Sequence, residues 1–369
     1  MKLFSWLEII FAFCSFSLIG YYLFFWRKLV FYTSKNHCFS NLPFVSVIIC
    51  AKNEKHNLVK FLPDILSQEY PLFEVIVVND GSSDGSMDVL NQFLIEHNHL
   101  RVYTFNEDKT SYGKKEVLEY GIRKSKSEYL VLTDADCRPN SKQWLAGMVN
   151  GFSDGSEIVL GVGQYEKKDS KLNALIQLDT GFIAMNYLSF ALASFPYMSV
   201  GRNVAYKKEL FFKVGGFKSH YDIPSGDDDL FINELSKDIK VAIVISFDSQ
   251  TTSVPKENFR SFFFQKVRHV SAGLRYNKRN SILLSFFYSL SVLWYLLLPV
   301  VIYHSNHLLV ISTIIILKKI TMYSLIRRIF TKIEVSAKPS VMLFAEFYSV
   351  FIHDLAVLVT IFKSKKGKW

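Results

Sequence analysis

Residues 3–26, LFSWLEIIFAFCSFSLIGYYLFFW, constrain this chain more than any other stretch, because they are apolar or aromatic almost throughout and Glu8 is their one charge. About 20 such residues cross the hydrocarbon layer of a bilayer as a helix. No small-residue cleavage site precedes the basic pair Arg27-Lys28, so the run reads as a retained anchor rather than a cleaved signal peptide. Apolar residues pile up again over 282–303, 308–323 and 341–362. Lys318 and Lys319 interrupt the second of these and are expected to snorkel, while Glu346, His353 and Asp354 weaken the third. The expected organisation is an N-terminal transmembrane anchor over 1–32, a soluble domain over 44–271 and a C-terminal membrane region of two to three helices over 281–369.

The chain is half hydrophobic and can bury a sizeable core. Its net charge of +10 does not point to nucleic acid, because Lys and Arg cluster beside the apolar runs: Arg27 and Lys28, Lys318 and Lys319, Arg327 and Arg328, and 363–368. Anionic lipid headgroups are the expected partner. Arg27, Lys28 and Lys35 place the following domain in the cytoplasm, at a multi-pass cell membrane. Three further spans would then leave the C-terminal end outside, against the basic run 363–368, so one of the last two segments is expected to lie along the membrane or re-enter it. The four cysteines, Cys14, Cys38, Cys50 and Cys137, form no C-x-x-C pair and suggest neither a disulfide framework nor a zinc site.

Between the apolar ends, strands and helices alternate. FVSVIIC (44–50), FEVIVV (73–78), 101–105 and YLVL (129–132) read as strands, with helices over 57–68, 87–96 and 114–124. This pattern predicts an α/β domain with a doubly wound, mainly parallel sheet, whose ligands bind at the carboxyl ends of the strands. Asn53, Glu54, Asp80, Asp134 and Asp136 all fall there. Asp134 and Asp136 follow directly on YLVL, and their alternation on an extended backbone lets both carboxylates share one divalent cation.

The second half is less regular. A strand is expected over 158–163 and a helix over 172–193, followed by the polar cluster Gly201-Arg202-Asn203. Asp227-Asp228-Asp229 directly precede an apolar helical run over 230–235, where acids serve as caps or as a base. FFFQKVRHVS (262–271) sets Gln265, Arg268 and His269 among aromatics before the next membrane stretch.

In this order the motifs resemble the GT-A (Rossmann-like) fold of family 2 glycosyltransferases, membrane-attached enzymes that move a sugar from a nucleotide diphosphate donor to an acceptor hydroxyl. The resemblance covers 44–271. VSVIICAKNE matches the opening strand and nucleotide loop, IVVNDGSSDGS the second strand, LVLTDADC the metal site, and VGGF with GDDDL the acceptor-side turn and base region. It implies a nucleotide-sugar donor, UDP-linked by preference, held by Ala51, Asn53, Glu54, Asp80, Lys114 and Asp134, with Asp80 at the uracil and Glu54 near the ribose. It implies Mg²⁺ or Mn²⁺ on Asp134 and Asp136, and a lipid or cell-envelope glycan as acceptor. Aligning Asp229-Leu230 with the family's E-D-x-D-L makes Asp227 the base and puts Gly226 where Glu is usual; a shift of one residue would favour Asp228. Gln265, Arg268 and His269 resemble a Q-x-x-R-W signature with His in place of Trp, and with Arg202 they are assigned to the acceptor or diphosphate side. Three other readings stand beside this one: a processive polysaccharide synthase, an inactive nucleotide-sensing membrane scaffold, and a transporter using Glu346, His353 and Asp354.

Overall fold

The computed structural model describes residues 4–34, 39–106, 113–223, 225–235 and 239–364; Lys35, Cys38 and the basic residues beyond 364 lie outside them. The chain opens with α1 (Trp6–Phe24) and α2 (Trp26–Phe31), one apolar rod interrupted at Phe25. Glu8 is engaged by its own first turn: the Ser5 hydroxyl accepts from the Glu8 amide at 3.3 Å and the Glu8 carboxylate accepts from the Ser5 amide at 2.7 Å, a capping box.

The α/β domain then runs β1 (Val45–Ala51), α3 (Lys55–Leu66), β2 (Phe73–Asn79), α4 (Ser86–Glu96), β3 (Leu100–Thr104), α5 (Lys115–Lys124) and β4 (Tyr129–Leu132). β1 pairs in parallel with β2 on one side and β4 on the other, and β2 pairs in parallel with β3. Their Val- and Ile-rich runs are buried on both faces, as a sheet covered by helices on each side requires. The chain order reverses between β1 and β4, so a crevice opens outside their carboxyl ends.

Next come β5 (Cys137–Pro139), α6 (Trp144–Asn150), β6 (Ile158–Leu160), β7 (Gly163–Tyr165), α7 (Lys171–Leu192), β8 (Val204–Lys207), α8 (Lys208–Lys213), α9 (Asp229–Glu234), β9 (Val241–Ile243) and β10 (Thr251–Ser253). β8 joins β4 antiparallel, and the main sheet has the order β3-β2-β1-β4-β8-β6-β9. The strand expected over 158–163 divides in two: β6 stays in the main sheet, while β7 joins β5 and β10 in a second sheet. Periodicity could not reveal this, because the residues between them, Gly161 and Val162, are as buried as the strands.

The rest is helical: α10 (Phe259–Gly273), α11 (Lys278–His304), α12 (Leu308–Lys332), α13 (Pro339–Met342) and α14 (Ala345–Ser364). Among the described residues five helical segments are long and apolar enough to cross a membrane: Trp6–Phe31, Lys171–Leu192, Lys278–His304, Leu308–Lys332 and Ala345–Phe362. The second of these, α7, is covered by protein over most of its length, between β7 and β9 on one side and α2, α12 and α14 on the other. It links the sheet to the other long apolar helices.

Cross-links fix the direction of the others. At one end Glu8 accepts from Ser305 and lies 3.2 Å from His307 Nδ1. At the other, Lys332 Nζ donates to the last carbonyls of α2, Val30 at 2.6 Å among them. α1–α2 and α12 therefore run oppositely to α11, in the same sense as each other. Lys318 corrects an expectation: it does not snorkel but is fully buried, 2.7 Å from Glu346 and 4.0 Å from the Trp294 ring centre. Glu346 also accepts from Tyr295 at 2.9 Å and Ser291 at 3.3 Å, so α14 begins beside the middle of α11 and α12. Seven residues on, His353 stacks on Tyr288, and a further seven on, Thr360 reaches the Val267 carbonyl of α10. α14 thus starts level with the middle of α11 and α12 and returns toward the α/β domain.

Candidate active site

The loops after β1, β2 and β4 close on one cavity of about 830 Å³, which continues between α7, α10, α11 and α14. On its outer side the first two loops are braced by their own polar groups. Asn53, at φ 56°, donates its amide to Ser82 Oγ at 2.9 Å and accepts from the Ser83 amide at 2.9 Å. Its side chain ties loop to loop and is not part of the cavity wall. Asn79 likewise accepts from the Ser82 amide at 3.3 Å. Ala51, Glu54 and Asp80 do line the cavity, with Lys52 Nζ 3.5 Å from Asp80. Burial, with Asp136 and Asp134 nearby, raises the Glu54 carboxyl above its usual range although Asn57 donates to it at 2.6 Å.

Asp134 and Asp136 leave β4 together, and their oxygens and Cys137 Sγ all lie within 4.8 Å of one another. Two hard carboxylates suit Mg²⁺ or Mn²⁺. Burial, then the neighbouring Asp134, pushes the Asp136 carboxyl up, a cost that a cation between them would relieve. Cys137 is no third ligand of the same kind. Burial, then Asp136 and Asp134, holds its thiol well above the usual range, and it donates to Asp136 at 3.3 Å. The residues present therefore fit a divalent cation on Asp134 and Asp136.

Lys114 bridges the centre, 2.6 Å from Asp134 and 3.2 Å from Asp227. Burial opposes its charge, but the two carboxylates outweigh burial and lift its pKa well above that of an ordinary lysine. In return, although burial works the other way, Lys114 holds the Asp227 carboxyl below its usual range.

The three consecutive acids have different duties. Asp228 is the N-cap of α9, accepting from the Asp229 amide at 2.9 Å and, across the cavity wall, from the Gly201 amide at 2.6 Å. Burial, then Asp227, pushes its carboxyl up to about 6. Asp229 is buried and takes the Tyr276 hydroxyl at 3.1 Å, joining α9 to the start of α11. Gly226 has φ 105°, and a Cβ there would come 2.7 Å from Leu230 Cδ1, so the place where the resemblance suggests Glu is built for glycine in this chain.

The inner wall comes from α7, α10 and β7. Arg202 lies over the Tyr165 ring, 4.4 Å from its centre, and donates to the Tyr165 hydroxyl and the Gly163 carbonyl, each at 2.9 Å. Its Nε is buried with no partner among the described residues. Gln265 reaches the same hydroxyl at 3.2 Å, while Arg268 and His269 line the cavity beside it. Burial, then Arg268, Lys266 and Arg202, keeps His269 well below the usual histidine range and hence uncharged. Sequence reasoning missed Tyr165, Tyr276 and the Lys266–Asp179 ion pair. No local signal marks Tyr165 or Tyr276, whereas Lys266 stands inside the singled-out FFFQKVRHVS.

Residues 46–218 match the model of Glycosyl transferase family 2. "Glycosyltransferase AglE" of Haloferax volcanii is 34% identical over 197 residues, covering 51% of this chain and 60% of the relative. "Probable glycosyltransferase YdaM" of Bacillus subtilis is 28% identical over 190 residues, covering 48% and 43%. The chain thus spans about half the length of the curated relatives it matches. In fold it is similar to the mannosyltransferase PcManGT from Pyrobaculum calidifontis, solved with GDP-Man and Mn²⁺, at a TM-score of 0.56 and 18% identity over 94% of this chain and 99% of the other. With its α/β sheet, strand-end acids and family match, the chain carries over residues 46–218 a domain of glycosyl transferase family 2 with a GT-A fold.

Proposed function

We propose that the chain is a membrane-anchored, inverting glycosyltransferase that moves a sugar from a nucleotide-sugar donor, UDP-linked as first candidate, to a hydroxyl of a lipid or cell-envelope glycan. The observation that carries this reading is the meeting of Asp80, Asp134, Asp136, Lys114 and Asp227 in one cavity at the β1/β4 crevice. Asp80 and Glu54 face the nucleoside end, and Lys114, Arg202 and Arg268 supply positive charge for the diphosphate. A divalent cation on Asp134 and Asp136 would act there as a Lewis acid on the departing diphosphate. Asp227 takes the proton of the acceptor hydroxyl as its oxygen attacks the anomeric carbon. The bond to the diphosphate breaks with its electron pair staying on the leaving group, so the configuration inverts. Asp228 and Asp229 are committed to a cap and to Tyr276, which supports Asp227 as the base.

The catalytic domain over 44–271 is assigned to the cytoplasm. Arg27 and Lys28, Arg275, Lys278 and Arg279, and Arg327, Arg328 and Lys332 all lie toward its end of the helices, whereas the 304–308 turn at the far end holds histidines but no Lys or Arg. A panel of nucleotide sugars offered to the purified protein with Mn²⁺ tests the activity. Release of nucleoside diphosphate from one of them is expected, and release from none overturns the reading.

A further inference from the structure

The cavity does not end at the catalytic carboxylates. Its wall continues along α11 through Leu284, Ser285, Tyr288 and Ser289. From Lys278, just after the Tyr276 that touches Asp229, to Ser289 the helical rise is about 17 Å. The opposite wall is one face of α14, with Ile352, His353, Asp354 and Val357. This inner chamber mixes aliphatic side chains with hydroxyls, a stacked Tyr288–His353 pair whose ring centres are 3.8 Å apart, and two carboxylates, Asp179 and Asp354. Asp354 is half-buried in the middle of an apolar helix, with no hydrogen bond or basic partner among the described residues. A charge in that position is costly and persists where function needs it.

The charge balance narrows what the chamber accepts. Its cation, Lys266, is neutralised by the ion pair with Asp179. Arg202 and Arg268 belong to the donor side, where the diphosphate uses them. A phosphoryl head lodged beside Asp354 would meet like charge with no cation left to offset it. A head rich in hydroxyl donors would instead satisfy the carboxylate, and could lay a ring face on Tyr288 and His353.

Resting on the transferase reading above, we infer that the chamber between α7, α10, α11 and α14 binds the polar head of a lipid acceptor, and that this head is uncharged and hydroxyl-bearing rather than phosphorylated. The head enters from the bilayer beside α14, passes Tyr288, His353 and Asp354, and moves on to present its hydroxyl to Asp227. Diacylglycerol and glycosylated diacylglycerol share this chemistry.

The test uses the full chain in nanodiscs and two short probes, octyl glucoside and octyl phosphate, with binding read by thermal shift and by competition with transfer. Octyl glucoside is expected to bind, octyl phosphate to bind at least tenfold more weakly, and Asp354→Leu to weaken octyl glucoside by about tenfold. Leucine suits the apolar helix, so the variant's melting point checks that the fold is retained. Tighter binding of octyl phosphate, or an Asp354→Leu variant that binds octyl glucoside as well as the parent, overturns the inference. Transfer to diacylglycerol and to its monoglycosyl form, compared in the same discs with a polyprenyl phosphate, distinguishes the sources; use of the polyprenyl phosphate alone also overturns it. Donor hydrolysis by the unaltered chain, measured without any lipid acceptor, fails only if the transferase reading itself fails.

Discussion

The chain contains two lysine–carboxylate clusters of similar composition, and they are built for opposite purposes. Lys114 sits between Asp134 and Asp227 with its side chain 36% exposed and that of Asp134 38% exposed, open to the cavity. Lys318 and Glu346 meet at a similar distance, but both are 0% exposed and roofed by Trp294 and the tyrosines of α1 and α11. An open pair can exchange partners when a diphosphate and a cation arrive. A sealed pair cannot, since separating it would leave an uncompensated charge in a medium that solvates charge poorly. The first cluster is therefore chemistry, and the second fixes where α14 begins.

Substitutions should separate the two. At the open cluster the largest effect is on turnover. Asp136→Ala removes one of the two proposed cation ligands and should lower transfer by about three orders of magnitude or more, with no gain on adding Mn²⁺. Asp227→Asn should lower transfer by roughly two to four orders while donor affinity survives. Melting points of both should stay near the parent's. Near-normal activity of Asp136→Ala in a chelator would remove the cation from the site, and unchanged transfer in Asp227→Asn would remove the base.

The sealed cluster should behave in the reverse sense. Lys318→Met leaves Glu346 buried beside Tyr22, Tyr295 and Ser291 without its cation. It should cost about 3–5 kcal/mol of stability. Adding Glu346→Gln to it should recover much of the loss, and donor hydrolysis by the folded fraction should be nearly normal. Full stability of Lys318→Met alone would mean that the pair does not hold α14.

The same contrast explains what the sequence could tell. The loop side of the cavity is made of contiguous motifs, each a strand followed by its loop, so the placement of Asp80, Asp134 and Asp136 at the strand ends was legible from local pattern. Lys318 was misread because Lys on an apolar helix ordinarily snorkels, and nothing nearby announced that Glu346, 28 residues away, would meet it. The inner chamber was invisible for the same reason: Asp179, Lys266, Tyr288 and Asp354 come from four helices, and only packing gathers them. Any of Asp227, Asp228 and Asp229 could by sequence cap α9, and Asp228 has that role, because one residue of phase at a helix start changes which carboxylate sees the free amides.

Asp228 gives the smallest effect and the sharpest sign. Its carboxyl is pushed up to about 6 by burial and by Asp227, while in the unfolded chain it returns to the ordinary range near 4. Below pH 4 it is protonated in both states and costs nothing. As the pH rises from about 4 to about 6 the unfolded chain ionises this group while the folded protein, whose surroundings prefer it neutral, does not. Stability is then lost, by about 1.4 kcal/mol for each pH unit that separates the folded and unfolded titrations. Asn is also a good N-cap and can accept from the same amides, so Asp228→Asn keeps the cap and removes the charge. Melting curves of the cation-free and donor-free protein should coincide for parent and variant near pH 4 and diverge above pH 6, the variant being more stable by roughly 1–3 kcal/mol. Transfer should fall less than in Asp227→Asn. A variant less stable at pH 8 would show that the charge on Asp228 supports the fold, and a larger loss of transfer than in Asp227→Asn would move the base by one residue.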